Sequence, residues 1–380
     1  MIPHTDQQRM LADTAKQFSD REHSPARLRA CRDRHPDFDR SVWESIASLG
    51  WLGVLVPEKD GGLGAGFGDM AQLVYAWGRT CAPEPLVASG VLAARTLVHA
   101  DGPARARLIE GLVAGSLIPA LAAHGGDTLA AAPPEIHASP DGDGYDLSGV
   151  ARYAVPAHAD GFIAAATSGS GTQLFWVGSK SAGLSIAHER RADGSFAARL
   201  SLDRVRVAGS DVVATARVAD AAIARATEEA LVLCAVEMAG MMRAMLDLTF
   251  EYLRTRVQFG KPIGSFQALQ HRSVDLYVAE QLARDVAQAA CAALDAFADK
   301  AGHDTERSLV SSRTKARACE SLGRIAREAV QLHGAIGFTD EYALGAYVNR
   351  ALVLSAWLGN AGAHRARYAR LAPPLEVLSA

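Results

Sequence analysis

The sequence predicts an α+β chain that is mainly α, with a helical domain over residues 1–120, a small β-domain over 121–218 and a second helical domain over 219–380. Three observations predict it. From Thr5 to about Leu112 apolar residues recur at three- and four-residue spacing, as amphipathic helices require. Between Gly125 and Ala208 the chain becomes rich in Gly, Pro, Ser and Asp, with short runs of alternating polarity. After about Val218 long helical runs return, at roughly 219–255, 265–300, 305–333 and 341–372.

Asp6 is placed to cap a first helix running toward Arg21. Over Phe38–Leu49, Val42, Ile46 and Leu49 share one face, with Trp43 and Ala47 beside them. A third helix is expected from about Gly68 to Thr80. It ends at Cys81-Ala82-Pro83-Glu84-Pro85, because proline cannot donate to the helical ladder. A fourth is expected over Leu86–His99 and a fifth over Pro103–Leu112. In the middle part Tyr145–Val150, Leu174–Val177 and Ala198–Val207 read as strands, and Pro140-Asp141-Gly142-Asp143-Gly144 as a turn between two of them. The sequence shows no internal repeat.

The length of 380 residues allows two or three sub-domains with well-buried cores. A hydrophobic share of 49% and a charged share of 21% are those of a globular protein rather than a disordered one. The net charge of -3 gives no electrostatic case for nucleic acid or an anionic membrane, and no apolar run reaches the length of a membrane-spanning helix. Five scattered cysteines without a C-x-x-C pair suggest neither a disulfide framework nor a zinc site, so no metal is expected. Met1–Gln8 holds no apolar signal core, and a cytoplasmic location is expected. Gly62–Gly68 contains G-x-G spacings, but no strand ending in a phosphate turn precedes it, so a flexible turn is expected there. Ser312-Arg313-Thr314-Lys315 fits S-x-x-K, but it lies in a helical run with no K-T-G after it, so it is not expected to be a nucleophile.

The densest chemistry lies in Arg256-Val257-Gln258-Phe259-Gly260-Lys261-Pro262-Ile263, continuing to Phe266-Gln267 and Gln270-His271. The planar guanidinium of Arg256 suits a pyrophosphate, because it binds two oxygens at once. The ring of Phe259 can cover an adenine face, and the amide of Gln267 both donates and accepts. A charged loop between two helices is the other use of such a segment. A second run, Ala329–Tyr342, contains Gln331 and the turn Gly334-Ala335-Ile336-Gly337, where backbone without bulky side chains can approach a purine or ribose closely. That turn also serves as a helix C-cap. His333 inside it is open to two roles, ligand contact or holding the turn.

The run R-x-x-F-G-K-P-I-x-x-F-Q-x-x-Q resembles the segment that enters the FAD site of acyl-CoA dehydrogenases. Gln331–Tyr342 is similar to that family's Q-x-x-G-G-x-G-[FY]-x-x-E-Y turn, and Pro57–Gly64 to its P-E-x-x-G-G-x-G. The three blocks keep the family's order and spacing. The text from Leu233 to Arg272 looks most like the small-subunit type that works as half of a hetero-oligomer, such as small subunits named for pimeloyl-CoA.

The resemblance implies a β-barrel-like middle domain and a C-terminal four-helix bundle. It implies FAD as cofactor, contacted by Arg256, Phe259, Gln267, Gln331 and Gly334 and held mainly by a neighbouring subunit. The implied partners are an acyl-CoA substrate, an electron-transfer flavoprotein or similar acceptor, and a second acyl-CoA dehydrogenase-like chain in a homo- or hetero-dimer or tetramer. The implied reaction is FAD-dependent α,β-dehydrogenation of the thioester. A non-dehydrogenase flavoenzyme and a non-catalytic subunit on the same scaffold are the alternatives. Two departures stand out. Ala335 replaces one of the family's paired glycines. The runs that face the flavin in the family's middle domain correspond to Ala122–Asp127 and Arg152–Pro156, which lack the usual hydroxyl and indole.

The reaction needs a carboxylate to take the α-proton. In the commonest family form this is the Glu of a Y-E-G-T segment, whose counterpart here is Asn349–Asn360. No Asp or Glu occurs between Glu341 and Glu376. Other members carry the base on the first helix of the C-terminal domain, at a position that falls on Ala230, so Glu229 becomes a candidate. Glu237 is the second candidate, because from Ala230 to Met242 every other residue is apolar or Gly. Burial without a cation would push its pKa up toward that of a working base. The competing role for Glu237 is an ion pair with an Arg of a neighbouring helix or subunit.

Overall fold

The computed structural model describes residues 5–32, 34–123, 134–298 and 302–372. The helix α1 (Asp6–Glu22) starts at the residue expected to cap it. Thr5 is the cap: its hydroxyl accepts from the Gln8 N–H, and the Gln8 amide accepts from the Thr5 N–H. Asp6 is instead the first helical residue, where its negative charge suits the helix N-terminus. A short helix that the sequence did not announce, α2 (Pro25–Arg32), precedes α3 (Arg40–Ser48) and α4 (Phe67–Thr80). Leu86–Ala93 is wound as a π-helix and passes into α5 (Ala94–Val98), followed by α6 (Arg105–Val113). The expected helix over 86–99 therefore exists, but its first half is widened. All eight residues of that half are buried, so packing rather than propensity sets its winding.

The middle part holds the strands β1 (Pro119–Ala122), β2 (Ile136–Asp141), β3 (Gly144–Ala154), β4 (Gly161–Ser168), β5 (Gly171–Gly178), β6 (Leu184–Arg190), β7 (Phe196–Ala208) and β8 (Val212–Ala214). They form an eight-stranded mixed sheet in the order β6-β7-β3-β2-β4-β5-β8, with β1 also beside β4. The expected turn at 140–144 joins β2 to β3, with Asp141 opposite Gly144. Inward positions such as Leu147, Phe162, Phe175, Leu200 and Val205 form a core separate from that of the helices.

The C-terminal helices are α7 (Ala219–Thr255), α8 (Gln267–Phe297), α9 (Asp304–His333), α10 (Leu344–Ala356) and α11 (Ala361–Leu371), with the hairpin β9 (Val257–Gln258) and β10 (Lys261–Pro262) between α7 and α8. The expected single run over 341–372 is two helices. Leu358 and Gly359 take positive φ values of 57° and 96° between them, and the Asn360 side chain caps α11 by accepting from the Ala363 N–H. The buried Lys315 of α9 fixes this break. Its ammonium donates to the carbonyls of Leu354 at 2.9 Å, Trp357 at 2.9 Å and Gly359 at 3.0 Å. The S-x-x-K spacing thus serves to terminate a helix.

Helix α7 is the axis of the molecule, and Ala230–Met242 is buried all round. It crosses α4 in backbone contact. A Cβ on Gly78 would stand 2.0 Å from the Glu237 carbonyl oxygen, and one on Gly240 would stand 2.2 Å from that of Tyr75. Only glycine permits this approach, which sets Glu237 against the end of α4. Asp295 of α8 then caps α4, accepting from the N–H of Phe67 at 2.5 Å and of Gly68 at 3.0 Å. No helix among the described residues is long and apolar enough to cross a membrane.

Candidate active site

A cavity of about 460 Å³ opens between α2, α4, α7, α10 and the β6–β7 connection. Along α7 its wall runs from Glu237 to Glu251, which is about 21 Å at 1.5 Å per residue. The lining is largely apolar, with Phe38, Trp77, Leu86, Phe196, Leu354 and Trp357 among its side chains. Tyr347 ties α10 to α4 across it, donating to the Arg79 carbonyl at 2.6 Å. At the rim Arg32 forms a two-pronged pair with Asp340, both contacts at 2.7 Å, so α2 is pinned to the turn after α9.

Glu237 lies in this cavity wall, 3% exposed. Of the two roles the sequence left open, the geometry supplies the ion pair. Arg350 of α10 approaches one carboxylate oxygen with Nη2 at 2.7 Å and Nε at 3.1 Å, while its Nη1 lies 3.1 Å from Asp193. Burial opposes the Arg350 charge, but Glu237 and Asp193 outweigh it and hold the guanidinium pKa above its ordinary value. Burial would likewise raise the Asp193 carboxyl, yet Arg350, Arg191 and the Ser195 donors bring it below the usual carboxylate range. Burial, with the nearby Arg350 charge, lowers the pKa of Arg191, which completes the group, although Asp193 opposes the shift. The condition that made Glu237 a candidate base, burial without a cation, is not met.

Glu229 is more tightly paired still. It does not line the cavity. It is 2% exposed and held by Arg95 Nε at 2.6 Å and Nη2 at 3.1 Å, with His99 Nε2 also at 3.1 Å. Burial pushes its pKa up, but the Arg95 charge and the hydrogen bonds from His99 and Arg95 bring it down to about 2. A carboxylate so committed is a poor proton acceptor.

The other cavity carboxylates are similarly engaged. Glu84 meets Arg27 and His23, and Asp247 meets Arg79 at 2.6 Å and also Arg243. Asp37 accepts from the Phe196 N–H at 2.9 Å and faces His158 at 3.0 Å. Glu251 at the exposed mouth is the exception, with Arg254 no closer than 3.8 Å. The turn Trp357-Leu358-Gly359-Asn360, in the place of the usual Y-E-G-T, presents no carboxylate.

Arg256, Phe259, Gln267, Gln331 and Gly334 are all exposed, Phe259 to 90%. They stand at one end of the helical domain. Tyr252, one turn before Arg256, stacks on His333 with centroids 4.7 Å apart, and Arg272 of α8 pairs with Glu328 of α9 at 2.9 Å. Gly334 has φ +66°, and nothing lies within 4 Å of where its Cβ would be. His333 holds the turn: Nδ1 is 2.7 Å from the Ala329 carbonyl and Nε2 is 3.1 Å from the Tyr342 hydroxyl. Burial lowers its pKa, and facing a carbonyl oxygen, Nδ1 is the nitrogen that must carry a proton. Of the two runs expected to face a flavin, residues 124–127 lie outside the described residues, while Val155 and Pro156 line the cavity.

Sequence reasoning missed Arg350, Asp193, Arg191 and the whole of α2. The signal for Arg350 was present: a lone Glu in an all-apolar helix requires a cation somewhere. Its identity needed the fold, since 113 residues separate the pair.

Comparison with known proteins agrees with this architecture. A family model described as acyl-CoA dehydrogenase, N-terminal domain, matches residues 5–116, and one described as acyl-CoA dehydrogenase, C-terminal domain, matches 220–372. The acyl-CoA dehydrogenase IpdE2 of Mycobacterium tuberculosis is 31% identical over 352 residues, covering 92% of each chain. The solved structure of a Tcur3481-Tcur3483 steroid ACAD G363A variant is 30% identical, with a TM-score of 0.82 over 96% of this chain and 97% of that one. The ChsE4-ChsE5 complex from Mycobacterium tuberculosis shares the fold, with 24% identity and a TM-score of 0.84 over 97% of each chain. The chain belongs to the acyl-CoA dehydrogenase family, whose members are oxidoreductases acting on CH–CH groups.

Proposed function

We propose that the chain works as one subunit of an FAD-dependent acyl-CoA dehydrogenase of the small-subunit type, removing hydrogen from the α and β carbons of an acyl-CoA thioester. The observation that carries this reading is the placement of Arg256, Gln267, Gln331 and Gly334, exposed at one end of the helical domain beside the cavity mouth. Glu251 and Tyr342 line that mouth, and Tyr252 and His333 stack directly behind it.

These residues fit a dinucleotide. The Arg256 guanidinium suits two oxygens of a diphosphate, the amides of Gln267 and Gln331 suit polar edges, and open space at Gly334 admits close backbone approach. Bound FAD supplies the hydride acceptor for the Cβ hydrogen. This chain's residues hold the diphosphate and purine, while the apolar cavity takes the acyl group and excludes water. An electron-transfer flavoprotein or similar acceptor would then reoxidise the cofactor. The division into domains near residues 120 and 218 belongs to the same reading.

Membership of a larger complex is supported by exposed apolar surface. Val274, Val278 and Leu282 make one exposed stripe along α8 at four-residue spacing, and Val257, Phe259 and Phe338 are exposed as well. An exposed apolar stripe of this kind suits a partner surface. The pairing of the cavity carboxylates favours a base donated by the partner chain, a dehydrogenase-like chain that carries the usual Glu. It equally favours a second reading, a non-catalytic subunit that completes its partner's cofactor site.

The test is dye-coupled oxidation of an acyl-CoA panel by the chain alone and mixed with candidate dehydrogenase-like partners. The proposal expects turnover only in a mixture. If no combination passes electrons from any acyl-CoA to the dye, the dehydrogenase reading fails. Turnover that survives deletion of the proton acceptor in the partner would mean that this chain carries its own base.

A further inference from the structure

Three imidazoles from distant parts of the chain meet beside the cavity rim. His35 comes from the α2–α3 connection, His158 from the β3–β4 connection and His188 from the edge strand β6. Their nearest ring nitrogens all lie within 4.8 Å of one another. His35 Nδ1 and His158 Nε2 are 3.1 Å apart, and the His158 and His188 ring centroids are 4.4 Å apart. Among the described residues this is the one group of three His, Cys, Asp or Glu side chains within reach of a single ion.

The distances suit a first-row transition ion. Imidazole nitrogens bind zinc at about 2.0–2.1 Å, which places tetrahedral neighbours roughly 3.4 Å apart. Small rotations of exposed rings bring the observed separations to that value. A second observation points the same way. Asp37 lies behind His158, with Oδ1 3.0 Å from Nδ1, and its Oδ2 is anchored by the Phe196 N–H at 2.9 Å. The acceptor-only carboxylate fixes the proton on Nδ1, which leaves the Nε2 lone pair facing the other two rings. A carboxylate holding a metal-ligating histidine in one tautomer and orientation is the usual outer-sphere arrangement of such sites. His35 and His188 are exposed, so an ion has a path in.

The alternative is a set of surface imidazoles packed on Phe196, whose ring centroid is 4.4 Å from that of His35. That packing accounts for the position of His35. Neither that packing nor the His35–His158 hydrogen bond accounts for a His188 ring nitrogen within 4.8 Å of both partners, with a buried carboxylate behind His158.

We propose that His35, His158 and His188 bind a divalent ion of the zinc, nickel and copper class, with Asp37 holding His158 and water filling the open position. The ion joins the α2–α3 connection to the β-domain, and because Asp37 and Phe196 also line the cavity, it braces that part of the cavity wall. The site is independent of the proposed dehydrogenase reaction, and either can fail without the other. Residue spacing could not announce it, since the ligands stand at positions 35, 158 and 188.

The test uses the full chain, free of any polyhistidine tag and stripped with chelator, titrated with zinc chloride by calorimetry. One equivalent is expected to bind, with a rise in melting temperature. His188→Ala and His158→Ala should each weaken binding at least about tenfold, and Asp37→Asn about 10- to 100-fold. His137→Ala, an exposed histidine outside the group, should bind as the wild type does. Melting of the stripped variants shows whether each is folded, and His188→Ala, on an exposed edge strand, tests the site without touching the core. No saturable binding, or equal binding by wild type and His188→Ala, would overturn the proposal.

Discussion

Arg350 and Glu237 meet in the cavity wall at 2.7 Å, on helices 113 residues apart in sequence. A buried pair of this kind is a weak net source of stability, but removing one member strands the other and costs about 3–5 kcal/mol. Glu237→Gln should therefore lower the unfolding midpoint. Because Glu237 is paired with Arg350, acyl-CoA-driven reduction in the assembled enzyme should fall by less than about tenfold. Loss of a general base costs on the order of 10²–10⁴. A drop of that size in folded Glu237→Gln, measured by stopped-flow reduction, would reinstate Glu237 as the base.

Glu229 makes acid stability predictable. Its carboxyl titrates near 4.5 when unfolded and at about 2 when folded. Between those values the unfolded chain binds a proton that the folded chain does not, so the contribution is complete above about pH 5.5 and drains away as pH falls toward 2. The full effect is roughly 3 kcal/mol. Burial also lowers the His99 pKa, which adds acid instability of the same sign. Urea midpoints measured from about pH 6 to pH 3 should fall less steeply for Glu229→Gln than for wild type. Parallel curves would show that the pair does not act as described.

Lys315 holds the break between α10 and α11 with three donors and three carbonyls. Lys315→Met keeps the volume and removes every donor. It should cost about 3 kcal/mol or more, because buried carbonyls are left without partners. Amide hydrogen exchange should quicken around residues 357–360. Unchanged exchange there would mean that water or backbone takes over the cap.

The crossing of α4 and α7 has no room for a methyl group. Gly240→Ala places a Cβ about where the Tyr75 carbonyl stands and should destabilise the fold by about 1–3 kcal/mol or more. Gly302→Ala is the control for steric room, since nothing lies within 4 Å of that position, although its φ of +83° carries its own backbone strain. Equal melting temperatures for Gly240→Ala and wild type would refute the tight crossing.

The helices were largely legible because their periodicity is local. The run 219–255 coincides with α7, and 305–333 differs from α9 by one residue at its start. The break after α10 was not read, although Gly359-Asn360 is a stop signal followed by a cap. The buried Lys315 that enforces it lies 39 residues from its first carbonyl partner. Three expected strands fall inside β3, β5 and β7, and the second half of β7 shows clear alternation. The run Gly161–Ser168 of β4 is buried on both faces for its first six residues, so it shows no alternation to read. At the site, residue types were legible and partners were not. Glu237 advertised an unmet charge, but Arg350, Asp193 and the three histidines converge only through the tertiary fold.

The proposal assigns a diphosphate contact to Arg256, which is exposed just past the end of α7. The direct measurement is FAD stoichiometry, from the visible absorption of the assembled oligomer, for wild type and Arg256→Ala. The account predicts that wild type carries flavin and that Arg256→Ala, assembling to the same size, binds it about 10- to 100-fold more weakly, as loss of a charge-assisted contact requires. Equal flavin content in the two assemblies would contradict it.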